Sequence, residues 1–170
     1  MRRIRYQVAI SLDGYIAGPN GEFDWIVMDP EIDFAAMFSQ FDTLLMGRHT
    51  FEMMVKQDNS VMPGMKTIVF SKTLQQRDHP EVTIVRAGVD QTVASLRAKP
   101  GKDIWLFGGG SLFQTFLDAK LVDKVEVAVI PVLLGAGIPL LASPAKQAKL
   151  ELTAHKIYKT GIVTLTYDVV

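Results

Sequence analysis

The chain has no cysteine, and its charges cancel, with 18 Lys and Arg residues against 18 Asp and Glu residues. The lack of cysteine excludes disulfide bonds and zinc–thiolate sites, and it favours a reducing, cytoplasmic setting. Because no basic or acidic block stands out, nucleic acids and membrane surfaces are poor candidates for a partner. No apolar run is long enough to cross a membrane. These absences leave a small molecule as the expected partner.

Metal ligands are also scarce. The three histidines, His49, His79 and His155, are far apart in the chain. None of them shares helical spacing with another histidine or with a glutamate, as a metal-binding pair on one helix face would. The sequence therefore predicts no metal site.

Strand-like and helix-like segments alternate along the 170 residues, of which 48% are hydrophobic. This pattern predicts a single α/β domain with helices on both faces of a largely parallel sheet. The last two strands alternate and meet at a short hairpin, so an antiparallel edge is expected. The predicted strands are 5–11, 43–46, 67–70, 82–85, 104–107, 124–130, 150–157 and 162–169. The predicted helices are 30–41, near 50–55, 92–98 and 111–121, the first with Asp29 as its N-cap.

A run of glycines separates one predicted strand from the helix that follows it. Gly108, Gly109, Gly110 and Ser111 stand between the apolar segment 104–107 and the helix. Glycine lets backbone come close to a large group, and a helix N-terminus offers free N–H groups and a positive dipole end. The turn suits a diphosphate. A glycine turn that serves only to pack the strand tightly against the helix would have the same sequence.

Two other predicted strands end in residues suited to anions. One is followed by glycine, arginine, histidine and threonine at a helix start, and the other by two hydroxyls around a lysine. Arginine forks, hydroxyls and helical N–H groups all bind phosphate oxygens. Each segment alone is equally compatible with an ordinary helix start or loop. The residues are Gly47, Arg48, His49 and Thr50, and Ser71, Lys72 and Thr73.

The three strand exits together predict a dinucleotide. Ligands bind at the carboxyl ends of parallel strands, where all three clusters are expected. A diphosphate plus a separate phosphate favours NADPH over NADH. The usual nucleotide-binding motifs are absent, because Phe113 stands where the Rossmann motif has its third glycine and no Walker loop is present. A dinucleotide would therefore have to bind to a different type of α/β fold.

The combination resembles the dihydrofolate reductase fold. Segments 46–52 and 107–111 resemble the two cofactor motifs of that superfamily, in order and spacing. Segments 11–18, with Asp24 and Trp25, and 131–140 are similar to a particular branch of it. That branch consists of stand-alone proteins like the C-terminal reductase domain of the bifunctional riboflavin-biosynthesis deaminase/reductase.

The resemblance implies a three-layer αβα sandwich with a mixed, mainly parallel sheet. NADPH would place its diphosphate at the glycine turn and Thr50, and its extra phosphate near Arg48, Ser71 and Lys72. The nicotinamide would lie between Ala9 and Gly18, beside a substrate cleft formed by Phe34 and by the loop through Trp25. Related proteins are often dimers, so a homodimer is possible.

The activity implied by the resemblance is NADPH-dependent reduction of the 5-amino-6-(5-phosphoribosylamino)uracil type. Without cysteines this chain cannot hold the zinc of the deaminase half. Segment 47–50 looks more like true dihydrofolate reductases, so reduction of a pterin is an alternative. A non-catalytic NADP-binding protein is a second alternative.

The proton donor is left open among three carboxylates. Dihydrofolate reductases use an acid on the first helix, for which Glu31 and Asp33 are the candidates, Asp29 being assigned to the helix cap. Asp13 is a third candidate, since it follows the first strand beside the inferred nicotinamide pocket, although it also suits a turn. An acid in an apolar cleft has a raised pKa, which suits proton donation.

Overall fold

The computed structural model describes residues 1–58 and 62–170. Within them the α-helices are α1 (Phe34–Phe38), α2 (Arg48–Lys56), α3 (Val89–Arg97) and α4 (Gly110–Asp118), with a 3-10 turn at Gln76–Asp78. The strands are β1 (Ile4–Ser11), β2 (Tyr15–Ala17), β3 (Phe41–Gly47), β4 (Lys66–Phe70), β5 (Thr83–Val85), β6 (Asp103–Gly108), β7 (Lys124–Ile130), β8 (Ile138–Pro139), β9 (Leu150–Ile157) and β10 (Val163–Val169). No helix in the described part of the chain is long and apolar enough to span a membrane.

Eight strands form one sheet in the order β5-β4-β3-β6-β1-β7-β10-β9. Neighbouring strands from β5 to β7 run parallel. β10 runs antiparallel to both β7 and β9, as the hairpin pattern predicts. The predicted α/β class, a mixed and mainly parallel sheet, is confirmed.

Helices cover both faces of this sheet. Alternate strand residues point to opposite faces, so Tyr6 and Leu106 join the core beneath α3 and α4, where they pack with Phe116. Trp105 lies on the other face, in a second core with Phe51 of α2. The resulting arrangement of helix, sheet and helix is the expected three-layer sandwich.

The first helix is much shorter than predicted. The prediction of a helix over 30–41 with Asp29 as its N-cap is wrong, because α1 has only five residues. Asp33 is the actual cap, and its Oδ1 accepts a hydrogen bond from Ala36 N at 2.8 Å. Asp29 instead accepts from Glu31 N at 2.8 Å and from Thr160 Oγ1 at 2.7 Å, which ties this loop to the β9–β10 hairpin.

A second, two-stranded sheet was not predicted. β2 pairs antiparallel with β8, and both strands lie in segments that the sequence analysis assigned to no strand. Asp13 holds the loop between β7 and β8, since its carboxylate accepts hydrogen bonds from Leu134 N at 3.1 Å and Gly135 N at 2.8 Å. The short strands carry no clear period, which explains why the sequence pattern missed them.

The Asp29 contacts give the fold a predictable pH dependence. Hydrogen bonds from Glu31 N and the Thr160 side chain lower the pKa of Asp29. A lowered pKa in the folded state stabilises the protein above the unfolded carboxyl pKa, and this stabilisation is lost as pH falls through the folded value. We expect Asp29→Asn to lower the melting temperature at neutral pH and to approach wild type in acid. Thermal melts across pH check this, with the exposed Asp24→Asn variant as the control; a constant difference across pH would contradict it.

Candidate active site

A cavity of about 1220 Å³ lies along the sheet edge where four neighbouring parallel strands end. It is bordered at one end by the first residues of α2 and α4 and at the other by α1 and the loop before it. β4, β3, β6 and β1 are adjacent and parallel, so their carboxyl ends share one edge. This is where open parallel sheets bind ligands.

The N-termini of α2 and α4 meet at one end of the cavity. A side chain added at Gly109 would lie 3.4 Å from Thr50 Oγ1, and one added at Gly47 would lie 3.9 Å from Gly108 O. Neither helix has a side-chain N-cap. The first N–H groups of both helices have no partner within the helix, and both dipoles present their positive ends here. The arrangement suits an anion.

Glycine is required at this turn for steric reasons. Gly108 has a φ of +120°, which L side chains rarely adopt. A Cβ at Gly110 would come within 3.2 Å of Pro139 O, a backbone atom that cannot easily move. The turn therefore lets backbone approach both β8 and any group in the cavity.

Arg48 supplies positive charge at the same end. Its guanidinium lies 3.2 Å from Glu52 Oε1 and 3.0 Å from His49 Nε2, and the side chain is half-exposed. Exposed ion pairs within a helix contribute little to stability. An incoming phosphate can therefore recruit this guanidinium at small cost.

The Ser71 cluster lies beyond the cavity wall. Ser71 Oγ accepts hydrogen bonds from Thr73 N at 3.2 Å and Leu74 N at 3.0 Å, which shapes the turn after β4. Lys72 is exposed, and its carbonyl accepts from Arg86 Nη2 at 2.8 Å. Arg86, which directly follows β5, adds a cation that the sequence analysis missed, although it too stands at a strand exit.

The other end of the cavity is mostly apolar. Phe34, Met37 and Phe38 of α1 line it, so the apolar face of this helix covers the cavity instead of joining the fully buried core. Trp25 lies outside the lining, and its Nε1 donates to Glu22 O at 3.0 Å. The loop contributes other apolar side chains, namely Phe23, Ile26, Val27, Met28 and Ile32.

A polar cluster lies on the sheet face beneath this end. Arg5 donates to Glu126 through both Nε (2.9 Å) and Nη2 (2.7 Å), with both side chains nearly buried. Gln7 Nε2 also donates to Glu126, at 2.9 Å. Burial alone would lower the pKa of Arg5, but hydrogen bonds and charge attraction from Glu126 and Asp103 outweigh it and raise that pKa. Gln7 and Glu126 line the cavity.

The sequence analysis missed this cluster. The signal was available, because a glutamine and a glutamate each stand at an inward position of a strand otherwise rich in apolar residues. Their pairing across β1 and β7 depends on register, which only the structure provides.

The three carboxylates proposed as proton donors have structural contacts. Glu31 Oε1 lies 3.4 Å from Lys159 Nζ, and Asp33 caps α1. Asp13 accepts from Ser11 Oγ at 2.6 Å, and this bond, with the loop N–H groups, lowers the pKa of Asp13. None of the three belongs to the cavity lining.

The structure brings together part of the predicted site. The predicted residues that line the cavity are Ala9, Phe34, Gly47, Arg48, His49, Thr50, Gly109, Gly110 and Ser111. Those outside the lining are Asp13, Gly18, Trp25, Glu31, Asp33, Ser71, Lys72 and Gly108. The described residues contain no cluster of three or more His, Asp or Glu side chains that could hold a metal ion.

The strand order and the cleft define a dihydrofolate reductase-like fold. Dihydrofolate reductase from Enterococcus faecalis, solved with NADP(H), superposes with a TM-score of 0.70 at 18% identity, covering 98% of this chain and 96% of that one. Residues 2–164 match the model of the RibD C-terminal domain, and the chain belongs to this family. The resemblance read from the sequence is confirmed.

Two relatives match over nearly their whole length. A Shewanella sp. PV-4 protein named for riboflavin biosynthesis superposes with a TM-score of 0.85 at 28% identity, covering 99% of both chains. The uncharacterized protein YyaP of Bacillus subtilis (strain 168) is 34% identical over 178 residues, covering 98% of this chain and 94% of its own length.

The contribution of the Arg5–Glu126 ion pair to the stability of the fold can be measured with a pair of variants. Replacing Arg5 by Met leaves Glu126 without its charged partner, and loss of one member of a buried pair costs about 3 kcal/mol. We expect Arg5→Met to lower the free energy of unfolding by about this amount, and the double variant with Glu126→Gln to recover much of it. Urea denaturation measures both, with the exposed Arg3→Met variant as the control. Additive losses in the double variant would contradict the coupling.

Proposed function

We propose that the protein is an NADPH-dependent reductase of the riboflavin-biosynthesis type. The observation that carries this proposal is the meeting of two uncapped helix N-termini with Arg48 at one end of a cavity whose other end is apolar. Membership of the RibD C-terminal domain family supports a reductase. The E. faecalis relative, solved with NADP(H), supports the choice of cofactor.

The residues at the cationic end fit a pyridine dinucleotide. The N–H groups at Gly109, Gly110 and Ser111, with the Thr50 hydroxyl, would hold its diphosphate. Arg48 would hold the additional phosphate as a charged fork. His49 lies beside Arg48, and Gly47 allows close approach of backbone.

Two neighbouring regions complete the proposed cofactor site. Ser71 and Lys72 would assist Arg48 from the adjacent strand exit, with Arg86 behind them. Ala9 and Gly18 would border the nicotinamide, and the small Ala9 side chain in the lining leaves room for a flat ring.

The cofactor, when bound, supplies a hydride. The reaction of this type reduces a carbon–nitrogen double bond: carbon receives the hydride and nitrogen receives a proton. This chain contributes placement and the exclusion of water. Phe34 and Phe38 cover the cleft opposite the sheet, and their apolar rings keep water from the reacting carbon.

One series of assays distinguishes the riboflavin-type reductase from a pterin reductase and from a non-catalytic NADP-binding protein. We expect NADPH oxidation with 5-amino-6-(5-phosphoribosylamino)uracil and none with dihydrofolate. Turnover of dihydrofolate alone would identify a pterin reductase instead. Binding of NADPH without oxidation in the presence of either compound would identify a non-catalytic NADP-binding protein.

Cofactor choice is tested at Arg48. Removing a charge-assisted hydrogen bond costs about 1.5–3 kcal/mol, which corresponds to roughly ten- to a hundredfold in affinity. We expect Arg48→Ala to weaken NADPH binding by this factor and NADH binding by less than about threefold. Titration calorimetry with both nucleotides measures the difference, and the exposed Arg77→Ala variant is the control. Equal losses for the two nucleotides would remove the assignment of the extra phosphate to Arg48.

The proton donor remains a prediction among Glu31, Asp33 and Asp13. Replacing the true donor by its amide should lower turnover by about 10²–10⁴-fold and change the pH profile, while NADPH affinity stays unchanged. We expect one of Glu31→Gln, Asp33→Asn and Asp13→Asn to behave so. Steady-state kinetics across pH distinguishes that variant from one with only a structural defect. If all three keep the wild-type profile, the proton comes from elsewhere.

A further inference from the structure

Strand β9 forms an open edge of the eight-stranded sheet, and β5 forms the other edge. All eight residues of β9 are exposed, and within the described part of the chain they share hydrogen bonds only with β10. β5 has only three residues. Native proteins tend to keep open edges short, because unpaired N–H and C=O groups pair readily with another strand. The long edge at β9 is therefore the better suited of the two to receive a further strand.

A register shift in the middle of β9 decides which way its side chains point. Ala154 pairs with Thr166 of β10 and Leu152 pairs with Tyr167, so Thr153 is an extra residue, as in a β-bulge. Residues directly opposite each other on neighbouring strands share a face of the sheet. The shift therefore reverses the alternation of side chains halfway along the strand.

The two faces of β9 differ in chemistry as a result. One face is the face on which Leu165 and Tyr167 of β10 meet the core, and it carries Leu150, Leu152, His155 and Ile157. The other face is the one on which Thr164 and Thr166 line the cavity, and it carries Glu151, Ala154 and Lys156. Leu150, Leu152 and Ile157 are 43%, 50% and 71% exposed, so the apolar row lies uncovered.

These faces are arranged symmetrically about the middle of β9, with opposite charges on the two sides. Three residues on each side of Thr153 and Ala154 follow one pattern, in which the middle residue is charged and points to the cavity side, and its two neighbours point to the core side. The charged residues are Glu151 and Lys156.

The symmetry allows β9 to pair with itself. A two-fold rotation perpendicular to the sheet sets a second β9 antiparallel to the first with the same faces aligned. Glu151 then lies opposite Lys156 of the partner subunit, and Lys156 lies opposite Glu151 of the partner subunit. A bulge often protects an edge from pairing. Here, however, strict alternation would place these two charges on opposite faces, and the bulge brings them onto one face.

Both charges are available for such a contact. In the described part of the chain, no ion pair includes Glu151 or Lys156. Glu151 lies opposite Asp168 of β10, and like charges in opposite positions are destabilising. Lys156 Nζ lies 4.4 Å from the centre of the Tyr158 ring, and its charge attracts Asp29 from a longer distance. A lysine from a second copy would therefore compensate the negative charge at Glu151.

We propose that β9 pairs antiparallel with β9 of a second copy of this chain, with Glu151 opposite Lys156 of the partner subunit, so that the two sheets continue as one. Backbone hydrogen bonds supply the affinity, and the side-chain pairs set the register. The assembly stops at two copies, because each uses its β9 edge for the same interface. No β9 residue lines the cavity, so the pairing leaves the cavity lining intact. The remaining opposed pairs are Leu150 with Ile157 and Leu152 with His155 of the partner subunit.

Charge reversal tests the interface and its register together. Glu151→Lys sets like positive charges opposite each other in the proposed pairing, and Lys156→Glu sets like negative charges opposite each other. We expect either variant alone to raise the dissociation constant of the dimer at least about tenfold. An equimolar mixture of the two variants should dimerise as the wild type does, because their charges are complementary at both positions. Sedimentation equilibrium over the micromolar range measures this, with the exposed Lys146→Glu, outside β9, as the matched control.

Three results would overturn the inference. They are a monomeric wild type, a dimer that neither reversal weakens, and a mixture that stays monomeric although both variants are folded. Thermal melts followed by circular dichroism establish whether the variants fold.

Hydrogen–deuterium exchange of the wild type tests the same surface without any variant. We expect the backbone amides of β9 to exchange more slowly at a concentration where the protein is dimeric than after dilution below the dissociation constant. The amides of β5, at the other edge, should exchange equally at both concentrations. Equal exchange of β9 in the dimer and in the monomer would place the interface elsewhere and overturn the inference. Neither measurement depends on the proposed reductase activity.

Discussion

The site depends on the close approach of two helix N-termini above neighbouring parallel strands. β3 and β6 are adjacent, so the helices that follow them, α2 and α4, begin side by side. A Cβ at Gly109 or Gly47 would contact the other helix start at 3.4 and 3.9 Å, while Gly108 requires a positive φ and Gly110 packs against the backbone of β8. Without glycine at positions 108 and 110 the turn could not keep this conformation, and the N-terminus of α4 would no longer lie beside that of α2.

The same strand edge divides the cavity electrostatically. Parallel strands direct helix N-termini toward one end of the cleft, whereas the sheet face beneath the other end carries Gln7 and Glu126. Arg5 compensates Glu126 from below through a bidentate pair. This pairing keeps a carboxylate near the cavity without leaving a free cation. The two ends consequently differ in their polar groups, with helix N-termini and Arg48 at one and Gln7 and the paired Glu126 at the other.

The sequence predicted what depends on local pattern. Strand β7 and strand β9 have the predicted bounds, because turn residues bracket clear apolar or alternating runs. The first helix was overestimated because Asp29 and Pro30 look like a helix start. In the structure Asp29 contacts Thr160, a partner 131 residues away that no local pattern reveals. The Gln7–Glu126 contact was missed for the same reason, since it depends on strand register.

The two ends of the site therefore support different conclusions about function, one about the cofactor and the other about the substrate. The proposed cofactor end consists mainly of backbone N–H groups and glycine, which the fold itself positions. The proposed substrate end is lined by side chains around α1 and on the β1–β7 face, which can change without altering the sheet. A shared fold and family therefore support the reductase class and the nucleotide, whereas the form of the substrate must be argued from this chain's own lining. At that lining Gln7 can form a hydrogen bond and Phe34 can form an apolar contact, and both suit a flat heterocyclic ring.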